Sequence, residues 1–257
     1  MTITNKKDLF DGLNKKNKDS NHLNFSLNLQ FFSESDSALL PIYKDMIDQL
    51  NELDITPNPI NKDSKPTKNI INIYLTSDSD RFKDFTGSDD ALGCHCINSM
   101  PNFDRTEWDV NEHAVFIEAS TSRFLSETKS ILDDIGIYDD LYKSIVINNW
   151  FDTLTHEISH AIEFIECSDG LTPSEVSSHP LYDNFDCSTG FNLRDDVIVS
   201  NLSKETDKNA IIDLMEVRVE LKSQSLLNKI DMDENIDKIL PIIKKEKRKN
   251  TLTNRTF

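Results

Sequence analysis

Thr153-Leu-Thr-His156-Glu157-Ile-Ser-His160-Ala-Ile162 is the stretch on which the reading of this chain turns. No Gly or Pro interrupts residues 137–167, and Leu141, Ile145, Val146, Trp150, Leu154, Ile158, Ala161, Ile162 and Ile165 recur densely. That pattern predicts one long, largely buried helix. His156 and His160 stand at i and i+4 on one face, so both imidazoles can reach a single tetrahedral Zn²⁺ at about 2.0–2.1 Å. Glu157 then lies beside the metal, where its carboxylate can take a proton from water. Thr153, Leu154, Thr155, Ala161 and Ile162 are uncharged, as burial of such a helix requires, because a charge there would lose its hydration without gaining a partner.

With that pentad in a buried helix, the chain resembles the zincin metallopeptidases, residues 153–162 matching their active-site helix. A metzincin-like ending would need Gly six residues, and His or Asp nine or ten residues, past Glu157, and those positions hold Glu163, Glu166 and Cys167. The chain offers instead Glu216-Val-Arg-Val-Glu220 on a later helix, 56 residues after His160. This looks like the gluzincin arrangement, which implies Glu216 as the third zinc ligand and Glu220, one turn on, as the acid that orients a ligand histidine. Ile212, Met215 and Val219 beside them point to a partly buried face. Residues 170–203, with Pro173, Pro180 and Gly190, read as a long loop of the kind that is usually functional or mobile, and its His179, Asp183 and Asp186 are alternative third ligands. The resemblance also implies an oxyanion donor from the segment between the ligands, for which His179 and Tyr182 are the candidates.

The expected fold is α+β and zincin-like: a small mixed sheet packed on the long helix, followed by a mostly helical C-terminal part that carries the third ligand. Upstream, Ile42, Met46, Leu50 and Leu53 give helical spacing behind Pro41. Asn69–Leu75 and His113–Ala119 have strand composition, Thr76–Asp90 is a polar stretch, and Arg123–Asp134 is a short helix closed by Gly136. The strand at His113–Ala119 is a candidate edge along which an extended substrate could pair. Two last helices are expected, over about Thr206–Lys229 and Glu234–Lys245. Cys94-His95-Cys96 lacks the spacing of a zinc knuckle and reads as buried thiols, while Trp108 and Trp150 read as core or loop anchors.

The 257 residues support three segments: a flexible polar leader over 1–35, one domain over 36–245 and a basic polar tail over 246–257. Acidic side chains outnumber basic ones 45 to 28, a net charge of −17, which argues against nucleic acid as the ligand, since phosphate binding draws on Lys and Arg. A protein or peptide substrate, preferably basic, is the expected partner. No apolar run is long enough for a membrane span, and the start lacks the apolar segment of a secretory signal. The expected location is cytoplasmic, or exported without a cleaved signal. The activity expected of these residues is zinc-dependent endopeptidase hydrolysis. The rival is a non-catalytic protein that keeps the helix pair as a scaffold and captures a basic partner on its acidic surface.

Overall fold

Strand β1 (Ser26–Phe31), Ser-Leu-Asn-Leu-Gln-Phe, alternates polar with apolar residues, the period of an extended chain with two unlike faces. It pairs in parallel with β2 (Ile70–Thr76), β2 pairs in parallel with β4 (Trp108–Glu118), and β3 (Gly93–Pro101) closes the sheet antiparallel to β4, giving the order β1-β2-β4-β3. The structure, a computed structural model, describes residues 26–31, 37–53, 55, 70–88, 90–101, 103–104, 108–135, 144, 146–168, 205–239 and 241.

The pleat sorts side chains between two layers. Ile71, Ile73 and Leu75 of β2 and Val115 and Ile117 of β4 point to the larger core, where they meet Ile42, Met46 and Leu50 of α1 (Leu40–Glu52) and Trp150, Leu154, Ile158 and Ala161 of the long helix. The opposite face places Tyr74, Ala114, Phe116 and Cys96 against Phe82 of α2 (Ser79–Thr86). Helices therefore cover both faces of a mixed sheet. Trp150 is fully buried, edge-on to Phe124 of α3 (Thr121–Ile135) at 5.2 Å between ring centroids, so it is the core anchor expected of it. The Trp108 side chain lies outside the described residues.

The long helix enters through a π-helical turn, Ile147–Phe151, and continues as α4 (Asp152–Ser168). A π turn widens the coil by one residue and rotates everything after it, a distortion that recurs beside functional sites. α5 (Glu205–Leu227) packs along α4, and the short α6 (Asp233–Asp237) follows.

Several expectations change. The polar leader contains β1, whose alternation was hidden by its Asn and Gln. The polar stretch Thr76–Asp90 contains α2, with the Asp78 side chain accepting from the Arg81 N–H at the start and Gly87, at φ 73°, closing it; the capping residues that look like a loop are what end this helix. β3 carries Cys94-His95-Cys96, and Cys94 is only half-buried. The strand at His113–Ala119 begins earlier, at Trp108, and lies inside the sheet between β2 and β3, so it is not an edge; among the described residues β3 is. α6 ends at Asp237, and residues 242–245, where the last expected helix would finish, lie outside the described residues. Gly136, the loop 170–203 and the basic tail lie outside the described residues. Among those described, no helix is long and apolar enough to cross a membrane.

Candidate metal centre

α4 crosses beneath the sheet and presents His156 and His160 toward α5. Thr155 Oγ1 meets Ser223 Oγ of α5 at 2.8 Å, while His156 and His160 meet Glu220 and Glu216. Followed forward along α4, the partners run backward along α5, so the helices cross in antiparallel sense. The crossing is fixed outside the site by Glu163, a fully buried carboxylate gripped by Arg218 Nη2 at 2.7 Å and Lys222 Nζ at 2.6 Å. Arg218 and Lys222 are one turn apart on α5, so a single carboxylate sets both the rotation and the register of that helix.

Three donor atoms converge. His156 Nε2 and His160 Nε2 are 3.1 Å apart, and each lies 3.6 Å from Glu216 Oε2. Four ligands at about 2.0–2.1 Å in a tetrahedron are separated from one another by about 3.3–3.4 Å, so the observed spacing brackets what one small ion requires without rearrangement. His156, His160 and Glu216 could therefore hold a metal ion. On the far side of the His156 ring, Nδ1 lies 3.4 Å from Glu220 Oε2, the contact that fixes ring orientation and raises ligand basicity. His160 Nδ1 is buried with no hydrogen-bond partner among the described residues, and the ring of His95 stacks parallel to that of His160, centroids 6.5 Å apart.

The charges are unbalanced in a telling way. Hydrogen bonding to Glu216 raises the His156 pKa to about 9 against the cost of burial, with Glu157 and Glu220 adding to the rise. His160, deeper, is lowered to about 4 by desolvation, Glu216 opposing that shift. Glu216 itself is held below the usual carboxylate range by its hydrogen bond to His156. One imidazole is thus cationic at neutral pH in the metal-free protein and the other is neutral and ready to ligate.

Glu157 lies on the side of α4 that faces β3. Burial lifts its carboxyl to about 7; His156 and a hydrogen bond from the His95 backbone N–H pull it down, while Glu216 and Cys96 push it up. The strand is close enough here that only glycine fits. A Cβ on Gly93 would stand 2.6 Å from both Glu157 Cγ and Thr153 Cγ2. A carboxyl poised near neutrality beside a metal-ligand set has the proton affinity of a general base.

Of the residues singled out in the sequence, His156, His160, Glu216 and Glu220 are brought together and Glu157 lies next to them. His179, Tyr182, Asp183 and Asp186 fall outside the described residues. The structure adds Gly93, His95, Glu163, Arg218, Lys222 and the Thr155–Ser223 pair. Glu163 could have been found: a charge three residues after His160, in an otherwise uncharged stretch, needs a buried partner. Gly93 and His95 could not, because their place follows from the pairing of β3 with β4. Comparison with protein-family models, with curated proteins and with solved structures found no match to this chain.

Proposed function

We propose that this chain is a zinc-dependent endopeptidase of the zincin type, gluzincin-like in its ligand set of His156, His160 and Glu216. The observation that carries the reading is the approach of these three donors to 3.1–3.6 Å of one another, with Glu157 alongside at a pKa of about 7. Bound Zn²⁺ would supply Lewis acidity toward a peptide carbonyl and acidify the attacking water. Glu157 accepts that water's proton and returns it to the leaving amine, a role that suits a group titrating near operating pH. Glu220 holds the His156 ring through Nδ1. β3, the antiparallel edge of the sheet, offers its outer backbone groups to an extended peptide, and its Gly93 end lies over Glu157, so a paired substrate would lie beside the base. His179 or Tyr182 is the proposed oxyanion donor. The net charge of −17 favours basic substrates, by attraction at long range, and argues against nucleic acid as a ligand.

The same acidity supports a second reading, a zinc-holding scaffold that captures a basic partner without cleaving it. Elemental analysis and a peptidase assay on a peptide library separate the two. The wild-type protein should carry about one zinc per chain and His156→Ala none. Glu157→Gln should keep zinc and lose about 10²–10⁴-fold in turnover. Zinc-binding wild type without turnover on any library peptide selects the scaffold, and absence of zinc after reconstitution sinks both readings.

A further inference from the structure

Cys94 and Cys96 occupy neighbouring same-face positions on β3, opposite Phe116 and Ala114 of β4, and point away from α4. Their sulfurs lie 3.7 Å apart. The peptidase reading gives them no part, yet the residues interleaved with them act on Glu157: Gly93 sits against its side chain and the His95 N–H donates to its carboxylate. We propose that Cys94 and Cys96 are an oxidisable dithiol, a modification site for low-molecular-weight disulfides, whose closure reshapes β3 where that strand lies on Glu157.

The chemistry balances with one named co-reactant. The Cys94 thiol, half-buried and the more accessible of the two, loses its proton and attacks one sulfur of the small disulfide, releasing one thiolate and leaving a mixed disulfide on Cys94. Cys96 then loses its proton and attacks the Cys94 sulfur, releasing the second thiolate. Two cysteine thiols are oxidised by two electrons and one disulfide is reduced to two thiols.

Geometry makes the step consequential. A disulfide bond is about 2.0 Å long, so the sulfurs must close by about 1.7 Å. In an extended strand, residues i and i+2 have Cα atoms about 6.6–6.8 Å apart, the upper limit of what a disulfide spans and above its preferred separation of about 5.5–6 Å. Rotating side chains alone does not suffice, and β3 must pucker between 94 and 96. Its two neighbours at that point have no slack. Gly93 leaves no room even for a Cβ beside Glu157 and Thr153, and a turn of the His95 peptide removes an N–H from the Glu157 carboxylate. The metal ligands sit on α4 and α5, and β3 meets them through the His95 ring, stacked 6.5 Å from that of His160, so oxidation should leave the three donors in place while disabling the base. The effect on turnover rests on the peptidase reading; the effect on β3 does not.

The test uses the full chain in reduced and in oxidised glutathione buffers, alkylated with N-ethylmaleimide and digested with trypsin. The fragment Asp84–Arg105 contains Cys94 and Cys96 and no other cysteine. In oxidised buffer it should carry no alkyl group and be two hydrogens lighter than the unalkylated dithiol. Amide hydrogen exchange of the same segment should quicken about tenfold as ladder bonds open. Zinc content should hold, turnover should fall about tenfold or more, and dithiothreitol should reverse all of it. Cys94→Ser should show none of these responses. A doubly alkylated fragment in oxidised buffer, or one that stops as a mixed disulfide, overturns the proposal, as does a disulfide that leaves exchange of β3 unchanged. A disulfide that opens β3 with turnover intact refutes the coupling to Glu157. If the reduced chain shows no turnover at all, the peptidase reading fails, and mass and exchange still decide the dithiol.

Discussion

Raising the pH from 7 to 9 should tighten zinc binding by about 50-fold, and the proton responsible is on His156. In the metal-free protein this imidazole titrates at about 9 because Glu216, Glu157 and Glu220 surround it. Zinc needs the neutral ring, so below pH 9 each bound ion displaces one proton. Apparent affinity then rises nearly tenfold per pH unit, about 1.4 kcal/mol, until pH approaches the His156 value and the curve bends, which makes about 2.3 kcal/mol over the two units. His160, at about 4, is already neutral and adds nothing in this range; Glu157, at about 7, adds a little near the lower end. Isothermal titration of zinc at pH 7.5 in two buffers of different ionisation enthalpy should report about one proton released per ion, and chelator competition should show affinity levelling above pH 9. Stability follows the same sign. His156 is raised in the folded state, so its contribution to the metal-free fold is complete below its unfolded pKa of about 6.5 and is lost as pH rises through about 9. Glu157, raised from 4.5 to about 7, contributes below 4.5 and loses that contribution as pH rises through 7. The rise in melting temperature on adding zinc should therefore grow from pH 5 to pH 9. Affinity flat across pH 7–9, with less than about 0.3 proton released, would refute the assignment of the proton to His156 and with it the electrostatic account of the site.

Glu216→Ala should weaken zinc binding severely, while Glu220→Ala should cost about 10–100-fold in affinity or activity through a loosened His156 ring; chelator competition ranks the two, and a reversed order would move the third ligand elsewhere. Asp183→Ala and Asp186→Ala should leave affinity near wild type. Glu163→Gln leaves Arg218 and Lys222 without their buried anion; because those cations are 34% and 28% exposed, the loss should be about 2–3 kcal/mol, below the full cost of breaking a buried pair, and a denaturation difference under about 0.5 kcal/mol would show that the clamp carries no stability. Gly93→Ala should keep zinc but cut turnover, as its new methyl pushes on Glu157 Cγ and Thr153 Cγ2. Adding Thr153→Ala, which removes one of those two contacts, should recover part of the loss.

What could be read in the sequence was what is local. α4 and α5 were legible because an uninterrupted helical run needs no distant partner to declare itself, and the spacing of His156 and His160, or of Glu216 and Glu220, is a property of one helix. That the two pairs meet was an inference from likeness, and the 3.1–3.6 Å spacing of the donors now supports it from coordinates. The sheet was half-legible. β2 and the later part of β4 announce themselves by β-branched residues, whereas β3 begins Gly-Cys-His-Cys, with no such signal. Strand order is not local at all: nothing in the residues of β3 or of β4 says which of them pairs with β2 and which lies at the edge. The Cys94–Cys96 pair shows the same division, since alternation predicts a shared face but not what lies behind the residues between them.

The placement of Glu163 explains how one crossing can serve stability and chemistry without mixing them. Among the described residues along the contact of α4 with α5, and at Glu157 beneath β3, carboxylates outnumber cations: Glu157, Glu163, Glu216 and Glu220 meet Arg218 and Lys222. Both cations bind Glu163, at 2.7 and 2.6 Å, which satisfies a fully buried carboxylate. Glu216 and Glu220, at 45% and 50% exposure, face two imidazoles instead. Had Arg218 turned to Glu216 instead, a guanidinium would occupy the negative potential that a metal ion needs, and Glu163 would be left as a buried unpaired charge. With the cations committed elsewhere, the residual negative charge is met by whatever positive charge can enter between His156 and Glu216. In the absence of metal that is a proton, which is why His156 is raised so far. A divalent ion would bring twice the charge and replace a hydrogen bond with coordination. It would also join α4 to α5 where Thr155–Ser223 and the Glu163 clamp already hold them together, so little ordering would remain to oppose its binding.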